Sequence, residues 1–155
     1  MDQIKPIIAV IGGSTCTEQE SALAEQTGRL LAQRGAIVLC GGLGGVMEAV
    51  AKGVQANGGT TVGILPGADP ATANAYIDIP LATGMGEMRN ALIVRAAHAV
   101  IAIGGGWGTL AEVALARRTG TPVVGLHDAL GADLDIPRVQ TADEAVAWAF
   151  SHAVR

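Results

Sequence analysis

Gly104-Gly105-Gly106-Trp107-Gly108-Thr109 is the stretch best equipped to hold a ligand. Glycines leave no Cβ where backbone must come close to a bound group. The run follows the apolar segment Ala99–Ile103 and precedes the helical pattern Leu110–Arg118. A helix start offers free N–H groups and the positive end of its dipole, which suits an anion. Thr109 adds a hydroxyl at that start. Gly104, Gly105, Gly106, Gly108 and Thr109 are therefore candidate phosphate-binding residues, against the alternative of a tight strand-to-helix turn. Gly41-Gly42-Leu43-Gly44-Gly45 likewise ends a strand and opens a helix. Gly42, Gly44 and Gly45 are candidates on the same logic, although close packing alone can call for a glycine pair. Gly13 and Ser14 follow the first strand and could line the same crevice.

Two charged residues stand near these loops. Arg89 falls in the first turn of the expected helix Glu87–Ala97, where a cation opposes the dipole. That helix enters the strand Ala99–Ile103 and runs antiparallel to it, so its start shares a sheet edge with the Gly104 loop. Arg89 can reach a phosphate or ribose there. Glu112 follows Gly108-Thr109, in what spacing reads as a helix's first turn. A carboxylate there can bind ribose hydroxyls or position water, and a simple interaction with the dipole also explains it. Glu48, after Gly45, fits the dipole explanation.

Several chemistries are disfavoured. The only lysines, Lys5 and Lys52, do not complete a Gly-Lys-Ser/Thr phosphate loop, and neither is placed as a Schiff-base lysine. The dinucleotide pattern G-x-G-x-x-G fails at its third glycine, where Thr109 stands. Asp128, after Pro122–Leu126, could mimic its ribose-binding acid. His98, His127 and His152 lack metal-ligand spacing, so no metal site is expected. Cys40 has no histidine partner in the pattern, and Ser14 has no nucleophile elbow around it.

The elements that must position these residues alternate. Strand-length apolar runs at 7–11, 36–40, 60–65, 99–103 and 122–126, with a weaker one at 76–81, are separated by helical patterns at 17–34, 46–57, 87–97 and 110–118. A last helix spans 141–153. Thr17 with Glu20, and Thr141 with Glu144, have capping-box spacing. Such alternation predicts one α/β domain over residues 1–155. It is a Rossmann-like, doubly wound, mainly parallel sheet with helices on both faces. Continuous apolar strands agree with burial on both sides. Ligands of such sheets sit at strand carboxyl ends, where the glycines accumulate.

The 155 residues are 50% hydrophobic yet only 3% aromatic, so the core is expected to be Ala, Val, Ile and Leu. A mean hydropathy of +0.40 is more than one small domain readily hides, which predicts a homodimer or homotetramer. A net charge of −4 without basic runs argues against nucleic acid. No apolar run is long enough to span a membrane, and no signal peptide is read at the start. Two cysteines, Cys16 and Cys40, suit a reducing cytoplasm.

Gly105-Gly106-Trp107-Gly108-Thr109-Leu110-Ala111-Glu112 resembles the G-G-x-G-T-x-x-E motif of the LOG (lonely guy) proteins, once mislabelled lysine decarboxylases. Gly41–Met47 resembles that family's second glycine segment, and Arg89 falls where the family has its essential arginine. The stretch Gly84–Arg95 is similar to the short branch that includes molybdenum cofactor carrier proteins. The resemblance runs from Ile7 to about Leu126. Two positions depart from the LOG pattern: Gly104 stands where Pro is usual, and Asn90 where Lys is usual. The resemblance implies a dimeric phosphoribohydrolase that splits a nucleoside 5′-monophosphate into base and ribose 5-phosphate. Arg89 and Glu112 would be catalytic, and the Gly105–Thr109 backbone would hold the phosphate. Its other implication is a non-catalytic carrier or sensor of a phosphorylated pterin or nucleotide. No resident cofactor is expected; a bound nucleotide or molybdenum cofactor is the ligand that the resemblance allows.

Overall fold

The first strand, β1 (Ile7–Gly12), shows how this sheet is buried. Ile8 and Val10 belong to one apolar cluster, and Ala9 and Ile11 to the other. Successive strand side chains point to opposite faces, so a run without polar interruption needs cover on both. The computed structural model describes residues 4–131 and 133–154. In chain order the elements after β1 are α1 (Glu18–Gln33), β2 (Ile37–Cys40), α2 (Val46–Ala56), β3 (Thr60–Leu65) and β4 (Ile79–Ala82). There follow α3 (Asn90–Ala96), β5 (Ala99–Ile103), α4 (Trp107–Thr119), β6 (Val123–Leu126), β7 (Arg138–Val139) and α5 (Ala142–His152).

All the strands pair in parallel, in the order β4-β3-β2-β1-β5-β6-β7. This is the α/β Rossmann-like sheet expected from the alternation. The cluster around Ile8, Val10, Val38 and Ile101 includes Leu31, Val50 and Ala145 from α1, α2 and α5. The cluster around Ala9, Leu39 and Val100 includes Ile93 of α3 and Val113 of α4. The chain steps outward from β1 to β4, then returns to place β5 on the other side of β1. The loops after β1 and β5 therefore diverge, and a crevice opens between them.

Both capping boxes are formed in part or whole. Thr17 Oγ1 accepts from Glu20 N–H at 3.1 Å, and the Glu20 carboxylate accepts from Thr17 N–H at 3.0 Å. Thr141 Oγ1 accepts from Glu144 N–H at 3.2 Å.

Four elements differ from the sequence reading by more than one residue at an end. The weak strand expected at 76–81 is β4, Ile79–Ala82, after a turn held by Asp78, whose carboxylate accepts from Thr61 N–H at 2.8 Å. Pro80 is tolerated because β4 pairs on one side only. The helix expected at 87–97 is a 3-10 turn, Gly86–Arg89, followed by α3. Arg89 thus sits at the junction between the two, not inside a first α-turn. The fourth helix starts at Trp107 rather than Leu110, which puts Glu112 in its second turn, and no acid lies in the first. The dipole explanation for Glu112 therefore falls away. β7 was not anticipated, being two residues long.

Candidate functional site

The β1/β5 crevice holds a cavity of about 640 Å³ at the carboxyl edge of the sheet. Gly13 and Ser14 line it from the loop after β1. Gly105, Gly106, Gly108 and Thr109 line it from the loop after β5 and the start of α4. Arg89 and Glu112 complete it from the α3 entrance and from α4. Residues far apart in sequence therefore converge on one space.

Not all the glycine candidates do. Gly42 has φ +77°, and a Cβ there would fall 2.6 Å from Leu65 Cδ2. At Gly45 a Cβ would fall 2.2 Å from the Gly13 carbonyl oxygen. These two glycines, with Gly44, keep the loops together without lining the cavity; Gly41, Leu43 and Met47 line it instead. Gly104 faces a smaller neighbouring hollow of about 380 Å³ with Trp107 and Asp128.

Gly106 and Gly108 are different. A Cβ on Gly106 would meet nothing within 4 Å, and one on Gly108 would meet only Asn90 Nδ2, at 3.9 Å. Neither has the positive φ that would demand glycine. Packing does not account for the missing side chains at these two positions. Gly105 is constrained by the protein itself: φ is +105°, and a Cβ would fall 2.4 Å from Thr109 Cβ.

Arg89 is 8% exposed. Its Nε donates to the Ile64 carbonyl at 2.7 Å, one terminal nitrogen to the Gly41 carbonyl at 3.5 Å, and the other to Asn90 Oδ1. The carboxyl ends of β2 and β3 thus hold the guanidinium. Burial lowers its pKa, and the nearby Glu112 carboxylate opposes that effect. Glu112 is 7% exposed, and its Oε2 has no hydrogen-bond partner. Burial pushes its pKa up to about 7, partly countered by Arg89. The two charges thus influence one another without an ion pair closing within 4 Å among the described residues. Glu112 Oε2 and two of the five Arg89 N–H groups are left without a partner among the described residues.

His98, His127 and Cys40 do not line the cavity. His98 Nδ1 accepts from Ile7 N–H at 3.0 Å. His127 lies 3.1 Å from the exposed Asp128 carboxylate. Burial raises the Cys40 thiol to about 11, which suits packing rather than attack. Among the described residues no group of three or more His, Cys, Asp or Glu could hold a metal ion. Sequence reasoning missed Glu20, Glu87 and Asn90 as cavity-lining side chains. Glu20 was legible only as a cap, while the 3-10 turn that brings in Glu87 and Asn90 has no apolar periodicity.

The sequence profile of the SLOG cluster4 family matches residues 5–150. The chain belongs to that family. Its relatives include an uncharacterized protein of Archaeoglobus fulgidus, 40% identical over 96% of this chain and 97% of the relative. Among solved structures, a molybdenum cofactor binding protein of Rippkaea orientalis superposes with a TM-score of 0.89 at 33% identity, covering 97% of this chain and 98% of the other. A molybdenum cofactor carrier protein of Chlamydomonas reinhardtii gives a TM-score of 0.85 at 34% identity, over 96% and 97%. The LOG-like superfamily, and a place near the carrier proteins within it, are thereby established.

Proposed function

We propose that the chain binds a nucleoside 5′-monophosphate in the β1/β5 crevice and hydrolyses its N-glycosidic bond. The observation that carries this reading is the unpartnered, buried Glu112 Oε2, on a residue that lines the same cavity as Arg89 and interacts electrostatically with it. A buried carboxylate without a hydrogen-bond partner costs stability, a cost that a group kept for chemistry can justify. Cleavage of an N-glycosidic bond uses both groups. As the bond from C1′ to the base nitrogen breaks, positive charge gathers on the ribose and negative charge on the base. Glu112 as carboxylate stabilises the first and takes a proton from the attacking water, whose oxygen bonds to C1′. Arg89 stabilises the departing base, which takes up the proton that the water gave to Glu112, so that the carboxylate is restored. The Gly105–Thr109 backbone holds the phosphate at the start of α4. Loss of activity is expected as pH falls through about 7, since Glu112 works ionised.

A second reading has its own support. The two cofactor-binding structures resemble this chain over nearly its whole length. On that reading the same cradle holds the phosphate of a pterin cargo, such as the molybdenum cofactor, and releases it unchanged. One experiment separates the two. Purified protein is incubated with AMP, GMP and CMP, and ribose 5-phosphate is measured. Release abolished by Glu112→Ala supports hydrolysis. Tight binding with no release from any of the three overturns it in favour of carriage.

A further inference from the structure

Arg89 does more than face the ligand space: it fixes the orientation of its neighbour. A guanidinium only donates, so the Asn90 side-chain atom that meets it must be the carbonyl oxygen. The amide nitrogen is then turned the other way. It lies 3.9 Å from the point that a Cβ on Gly108 would occupy, at the wall of the phosphate cradle. The side chain has no hydrogen-bond partner for that N–H₂ group among the described residues. Arg89 itself has five N–H groups, of which three go to Ile64, Gly41 and Asn90.

We propose that Asn90 is a phosphate-binding residue, whose side-chain N–H₂, aimed by Arg89, donates to the ligand's phosphate across Gly108. The proposal rests on the reading that a phosphate occupies the Gly105–Thr109 cradle. The charge of the cavity explains why such a donor matters. Among the described residues that line it, Arg89 is the one cation, while Glu20, Glu87 and Glu112 are acids. A phosphate there relies heavily on donors without charge, namely backbone N–H groups, hydroxyls and this amide. Gly108 is the residue whose missing side chain leaves the path from Asn90 to the ligand open.

Asn90→Asp and Asn90→Ala separate donation from the support of Arg89. The aspartate still accepts from Arg89 but has no N–H to give and adds a negative charge; the alanine does neither. Ribose 5-phosphate, AMP and GMP are titrated calorimetrically into protein with the wild-type Asn90 and into both variants, all carrying Glu112→Ala so that no nucleotide is cleaved during the titration, with adenosine and guanosine alongside. A hydrogen bond to a charged group is worth enough to predict at least about a tenfold loss of affinity for the phosphorylated ligands in Asn90→Ala. A larger loss is expected in Asn90→Asp, with the nucleosides affected less than twofold in both. Phosphorylated ligands bound by Asn90→Asp as tightly as by the protein with Asn90 would overturn the proposal. So would equal losses for nucleosides and nucleotides, which would mark Asn90 as mere support for Arg89. If the protein with Asn90 binds none of the phosphorylated ligands, the cradle reading falls and this proposal with it. That failure is distinct from one seen only in the variants.

Discussion

Glu112 carries a cost that can be measured without knowing the ligand. Its pKa rises from the ordinary 4.5 to about 7 because burial disfavours its charge more than Arg89 favours it. In the unfolded chain the carboxyl loses its proton near 4.5, whereas in the folded protein it keeps it to about 7. Stability contributed by this group is therefore highest at low pH, declines as pH rises between those values, and levels off above 7. A rise of this size corresponds to about 3 kcal/mol. Glu112→Gln keeps the shape and removes the charge. At pH 8 it should raise the unfolding midpoint by several degrees, and the gap over wild type should close near pH 5. A variant less stable than wild type at pH 8 would mean that attraction to Arg89 outweighs burial. The expected gain in stability with loss of cleavage is the trade-off of a site that is strained for function. Arg89 and Glu112 were both legible in the sequence as charges beside glycine loops. The burial that makes Glu112 unusual was not, because its position in the second turn depends on where α4 begins.

At the scale of the elements, the strands were the easiest to read. Ile7–Ile11 and Ala99–Ile103 are apolar without interruption because both sheet faces are covered, and the glycines that follow mark their carboxyl ends. Boundaries were harder wherever backbone bonding rather than side-chain pattern decides them. Trp107-Gly108-Thr109 was taken for loop, since a glycine is a poor helix residue, yet it forms the first turn of α4. Likewise Gly86–Arg89 is a 3-10 turn that apolar spacing does not announce. The glycine loops looked alike in sequence, but the structure gives their glycines different burdens, and a paired substitution tests this. Gly106 has open space where a side chain would go, so Gly106→Val should leave the unfolding midpoint nearly unchanged while abolishing binding of a phosphorylated ligand. Gly45 has φ +63° and no room beside the Gly13 carbonyl. Gly45→Ala should therefore destabilise the fold by more than about 1 kcal/mol, read as a lower denaturation midpoint. Equal ligand affinity in wild type and Gly106→Val would place the phosphate elsewhere.

For the whole molecule, one edge of the sheet is left without a natural end. Ile79 and Leu81 on β4, Met85 and Met88 around the 3-10 turn, and Leu92 on α3 are all between 40% and 71% exposed. Thus most of the exposed large apolar residues among the described residues fall between positions 79 and 92. β4 pairs only with β3, so its outer edge also offers unpaired backbone groups. Scattered exposed leucines need no explanation, but a concentration of this kind is what a subunit contact would cover. A second copy of this chain is the occupant that the composition predicts, since the same excess of apolar residues is present in every copy and a two-fold contact pairs the patch with itself. In sequence, Glu87 and Arg89, which line the cavity, fall between Met85 and Leu92, so a contact over this segment would be coupled to the site. Dissociation should therefore weaken ligand binding as well as change mass. Wild type is expected to run as a dimer or tetramer in light scattering coupled to gel filtration. Met88→Glu combined with Leu92→Glu should shift it toward monomer, because each carboxylate would have to be buried unpaired at the contact. Neither side chain is in the core, so the far-ultraviolet spectrum should not change. A wild-type protein that is monomeric at tens of micromolar would remove a second copy as the cover of this edge.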